Sequence, residues 1–71
     1  MKRQLADTLY DNLEKLMKEI KTLDEDRMNL AMLFFSEAVR NIATIFNLFD
    51  MPSEKFNDLV YNIGKFIDET K

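Results

Sequence analysis

The chain has 71 residues, thirteen acidic and ten basic, a formal net charge of −3, and neither a cysteine nor a histidine. A chain of this length reads as one small domain that buries only about 60% of the surface its unfolded form exposes, and its composition excludes disulfide staples and thiolate or imidazole metal sites. The mild acidity argues against nucleic acid as a partner, and the single glycine and single proline leave room for few elements, rich in Leu, Met, Lys, Glu and Ala and therefore helical.

The first predicted helix covers residues 3–23. Ala6, Leu9, Leu13, Leu16, Ile20 and Leu23 step by alternating threes and fours, which is an unbroken heptad seam. Leu5, Tyr10 and Met17 widen it into a stripe, and Asp7, Asp11, Glu14, Lys15, Lys18 and Lys21 occupy the opposite face. Asp11–Lys15 and Glu14–Lys18 are acid-before-base pairs four apart, worth about 0.2–0.5 kcal/mol each. The opening "MKRQLADTLYDNL" does not read as a secretory leader, because Asp7 and Asp11 interrupt any apolar run. With the absence of cysteine, the expected setting is cytoplasmic.

The break at "TLDEDRM" carries no glycine or proline. Asp24 can cap a new helix, with Glu25 and Asp26 in its first turn, where the helix dipole favours acids. Leu23 and Met28 would then staple the entry, and Thr22 with Glu25 offers a competing capping box. So short a connection makes the helices it joins antiparallel neighbours.

The second predicted helix covers 25–49, and within residues 28–49 fifteen of twenty-two side chains are apolar. That is long enough to span a bilayer. Glu37 and Arg40 near its middle each cost about 2.5–3.5 kcal/mol in such a setting, and Asn29, Ser36, Asn41, Thr44 and Asn47 add to the cost, so no membrane span is expected. On a helical wheel Asn29, Ser36, Arg40, Thr44 and Asn47 form a narrow polar arc, with Glu37 and Asn41 beside it. Met28, Ala31, Met32, Phe34, Phe35, Ala38, Val39, Ile42, Ala43, Ile45, Phe46 and Phe49 fill the opposite half-turn. A helix apolar on half its circumference can face two neighbours at once, as the central member of a three-helix bundle does. Leu33 projects into the polar arc, and Leu30 and Leu48 sit at its edge. Small monomers rarely expose large apolar patches. Leu30, Leu33 and Leu48, with Glu37 and Arg40 as rim charges, are therefore the expected partner-binding residues.

The stop is "FDMPSEK". Pro52 cannot donate to a continuing helix and holds Met51 out of the helical region. Ser53, or alternatively Asp50, would cap the third predicted helix, residues 54–69. Phe56, Leu59, Val60, Ile63, Phe66 and Ile67 share one face of it, and Gly64 on the flank is expected to allow close helix approach.

The chemistry of an enzyme is not visible. No histidine can act as a base and no cysteine as a nucleophile. One glycine cannot build a phosphate loop, and the run Asp24, Glu25, Asp26 lacks the spaced oxygens of a calcium loop. No cofactor, metal or small-molecule substrate is expected. The expectation is an all-α, three-helix antiparallel bundle that dimerises and acts as a protein–protein interaction module. Small, metal-free helical modules of this kind suit regulators and inhibitors, including those that phages and plasmids encode. The alternative is a regulator that binds RNA or DNA weakly through the Lys15, Lys18 and Lys21 face of a dimeric bundle, although Glu14 and Glu19 interrupt that face.

Overall fold

At about 1.5 Å per residue, the 24 residues of the longest helix span about 36 Å, close to the 38 Å longest dimension of the molecule. A computed structural model describes residues 2–70, in three helices with no strand among them. They are α1 (Lys2–Ile20), α2 (Glu25–Leu48) and α3 (Glu54–Glu69), packed into a body 38 × 18 × 15 Å across.

The two connections use different chemistry. After Ile20 the chain tightens into a turn, with Thr22 N–H donating to the Glu19 carbonyl and Leu23 N–H to that of Ile20. The helix thus ends three residues before the predicted limit, and Leu23 falls outside it. Asp24 caps α2 as expected, its carboxylate accepting from Arg27 N–H at 3.3 Å. The competing capping box is not formed, because the Thr22 hydroxyl donates back to the Glu19 carbonyl at 2.6 Å. At the other end of α2, Met51 N–H donates to the Phe46 carbonyl and Asp50 N–H to that of Asn47. This pair of bonds is a Schellman closure, and Asp50 takes the left-handed position with φ 55° that glycine ordinarily fills. Asp50 is therefore not an N-cap. Nor is Ser53 a side-chain cap, although it holds the N-cap position of α3. Its buried hydroxyl donates instead to the Asn47 side-chain oxygen at 2.8 Å, tying the turn to the last turn of α2.

The core is one cluster. Ala6, Leu13 and Ile20 come from α1, Met32, Phe35, Val39, Ala43 and Phe46 from α2, and Phe56, Leu59 and Ile63 from α3. Phe46 and Phe56 meet edge to face, with centroids 4.8 Å apart and planes at 72°, an arrangement worth about 0.5–1.5 kcal/mol beyond burial. The stripe on α3 is buried as the spacing predicts, with Val60, Phe66 and Ile67 half-buried around its centre.

α2 runs close to α3 over more of its backbone than it does to α1. The contacts between α1 and α3 run in step. Asp7 and Tyr10 near the start of α1 meet Lys55 and Phe56 near the start of α3. Lys21, just past the end of α1, lies over the ring of Phe66, 4.8 Å from its centroid.

Three expectations about packing are corrected. On α1 the buried stripe is turned toward Tyr10 and Met17, and Leu5, Leu16 and Leu23 stay exposed. That flank lies away from α3, because Asp7, Tyr10 and Lys21 occupy the other side. On α2 Phe34, Ala38, Ile45 and Phe49 do not join the core but face solvent. At Gly64 a Cβ would meet nothing within 4 Å, so this glycine does not serve close helix approach within the chain.

Candidate protein-docking face

The buried side chains of α2 define an inward direction near Val39, and the opposite line on the helix carries the face of interest. Leu30 and Leu48 are 18 residues apart, or five turns at about 3.6 residues per turn, so they project along the same line. They expose 57% and 78% of their surface. Glu37 and Asn41 lie between them, close to that line and both exposed. Leu33 and Arg40 flank it on the side toward α3, where Arg40 borders a shallow cleft with Val60, Tyr61 and Gly64. Leu33 is 54% exposed. The helix thus presents Leu30, Leu33, Glu37, Arg40 and Leu48 together on its exposed side, with Leu33 and Arg40 to one flank.

Two residues of this face were not among the sequence candidates. Phe34, 68% exposed, and Ile45, 48% exposed, flank the line on the side away from Arg40. Leu5 and Leu16 on α1 are exposed as well. A wheel assigns both to the buried half-turn, because they adjoin Ala31 and Ile42. The signal was the width of that arc, since a core-facing stripe needs little more than about 100°.

The polar side chains around the face are partly committed to the chain itself. Thr44 Oγ1 donates to the Arg40 carbonyl at 3.1 Å, and Asn47 accepts from Ser53. Arg27, near the start of α2, pairs with Asp24 at 3.3 Å.

Lys55 Nζ bridges to Asp7 at 3.1 Å and lies 5.4 Å from the centroid of the Tyr10 ring. At such exposure the bridge is worth at most about 1 kcal/mol. Burial, reinforced by the negative charge of Glu14 and by the hydrogen bond that its carboxylate accepts from the Tyr10 hydroxyl, raises the Tyr10 pKa above the ordinary 10.0. The pocket at the starts of α1 and α3, lined by Ala6, Asp7, Lys55 and Phe56, holds about 90 Å³. Two wider clefts, about 370 Å³ between Tyr10, Lys21 and Phe66 and about 530 Å³ beside Arg40, reach the range of about 300–1,000 Å³ of ordinary small-molecule sites but lie open to solvent rather than enclosed. Among the described residues no three His, Cys, Asp or Glu side chains gather as a metal site, and no helix is long and apolar enough to cross a membrane. Lys15 and Lys18 are exposed on α1, while Lys21 is drawn onto Phe66.

Comparison with protein-family models, curated proteins and solved structures finds no match for this chain.

Proposed function

We propose that this chain is a non-enzymatic protein-interaction module, a regulator or inhibitor in the cytoplasm, that docks through the outer face of α2. Its architecture in this reading is an antiparallel bundle, with α2 running against both flanking helices across two short connections. The observation that carries the reading is the row of exposed apolar side chains on α2. Leu30, Leu33 and Leu48, joined by Phe34 and Ile45, face water on the one helix whose other side is the centre of the core. Covering one such leucine stabilises an assembly by about 1.5–3 kcal/mol, and small domains of this size have little stability to spare. The anchors enter the partner's surface, while Glu37 and Arg40 at the rim set orientation. The lack of any histidine, cysteine or glycine-rich loop supports a role without catalysis.

The test is mass by light scattering across concentration, with capture of host proteins on the immobilised chain, for the wild type and for Leu30→Glu and Leu33→Glu. The expected result is that both substitutions keep the helical content and lose the association. A wild type that stays monomeric, captures nothing that either substitution removes, and binds mixed-sequence DNA or RNA with a steep salt dependence would move the function to the Lys15, Lys18 and Lys21 face.

A further inference from the structure

The outer face of α2 has nearly the same pattern from either end. Leu30 and Leu48 lie nine residues to either side of Val39, Glu37 and Asn41 two, and Phe34 and Ile45 five and six. All six are exposed, and at about 100° per residue all six fall within about 60° of the line through Leu30 and Leu48. Phe34 and Ile45 lie on the same flank of it. Leu33 and Thr44, six and five residues from Val39 on the other flank, are the one unlike pair, apolar against polar. Otherwise the face reads apolar, polar, apolar along its length, and a copy turned end for end presents a largely matching surface.

We infer that the occupant of this face is the same face of a second copy, with the two α2 helices antiparallel about a two-fold axis that crosses the outer face at the level of Val39. This rests on the interaction reading above and names its partner. In that arrangement Leu30 of each copy meets Leu48 of the other, and Phe34 meets Ile45. At the centre the Asn41 amide of each copy donates to the Glu37 carboxylate of the other, twice by symmetry. Arg40 lies on the flank to which Glu37 leans, so each Glu37 also faces the opposite charge of Arg40 across the pair. In a parallel pairing Glu37 would face Glu37, and two desolvated like charges would oppose docking. Polar side chains at the middle of an apolar seam set orientation and register in this way. Closed two-fold pairs use one self-complementary patch on both subunits, and this face has that property.

The chain has no cysteine, so an introduced thiol reports its own neighbours alone. Leu30→Cys and Leu48→Cys, both at exposed positions, are oxidised briefly, singly and as an equimolar mixture, and the products are separated by mass. The expected result is little disulfide dimer from either variant alone and a ready mixed dimer from the two together. Phe34→Cys with Ile45→Cys repeats the measurement nearer the axis. Self-linked dimers from each single variant, with no gain on mixing, would show a parallel pair and overturn the inference. A wild type that dimerises by sedimentation equilibrium without cross-linking in any sample would place the contact on another face, which overturns it too. A wild type that remains monomeric while Leu30→Glu abolishes capture of a host protein removes the second copy and leaves the interaction reading standing.

Discussion

On α2, Met32 and Val39 are wholly inaccessible to water, whereas Leu30 and Leu48 on the other side of the same helix are more than half exposed. Propensity and side-chain size do not separate the two groups. What separates them is the azimuth at which α1 and α3 lie. Two neighbours on one side of a helix cover a limited arc, and apolar residues beyond it stay in water unless another chain arrives. The contrast between these two faces separates the residues that hold the fold from the row proposed to hold a partner.

Truncating the inner and outer rings in parallel is the strongest way to break that contrast. Phe56→Ala, which removes a ring 1% exposed against Phe46, is expected to cost about 3–5 kcal/mol and to leave little folded protein. Phe34→Ala is expected to change the unfolding free energy of the dilute chain by no more than about 0.5 kcal/mol while weakening self-association. Urea unfolding at low concentration measures the first effect and sedimentation the second. Equal losses of folding stability would show that the faces are not distinct.

The same contrast recurs on α1, where Leu13 is 9% exposed and Leu16 47%. Leu13→Ala is expected to cost about 2–5 kcal/mol. Leu16→Ala should cost well under half as much, because part of its surface is already wet and truncation leaves no enclosed cavity. Comparable midpoints for the two variants in thermal unfolding would place α1 in a different rotation about its axis.

The backbone offers a finer measurement, independent of either face. Asp50→Gly relieves the left-handed position that closes α2 and is expected to raise stability by about 1 kcal/mol. Gly64→Ala adds a Cβ into open space within a helix and should raise it by about 0.5–1 kcal/mol. Loss of stability in Gly64→Ala at high protein concentration alone would indicate that a second chain packs against this position.

Much of the helix pattern was legible because it depends on near neighbours in the chain. The apolar spacing of Phe56, Leu59 and Ile63 and the acidic cap at Asp24 both express interactions within about four residues. The exposed leucines at 30, 33 and 48 were legible for a related reason: they interrupt or border a polar arc that no core could use. Phe34 and Ile45 were not, because the width of an apolar arc says how much surface needs covering and not which edge is left over. Ser53 takes the N-cap position expected of it, but its hydroxyl donates to Asn47, six residues earlier, a partner that the sequence around Ser53 does not name. Gly64 was misread because the distance to the next helix is not encoded near it.

From its own order of residues this chain is committed to helices, to an Asp24-capped break after the first and to a proline-marked break after the second, and to more apolar surface on the middle helix than a single stripe requires. Those features arise from hydrogen bonds and side-chain spacings inside each segment. Packing of the three helices decided which part of that surplus is covered, which turned α1 toward Tyr10 and Met17, recruited Ser53 to Asn47, and left Leu30, Phe34, Ile45 and Leu48 facing outward. Burial depends on the direction and distance of neighbours remote in sequence, and only the assembled helices specify either.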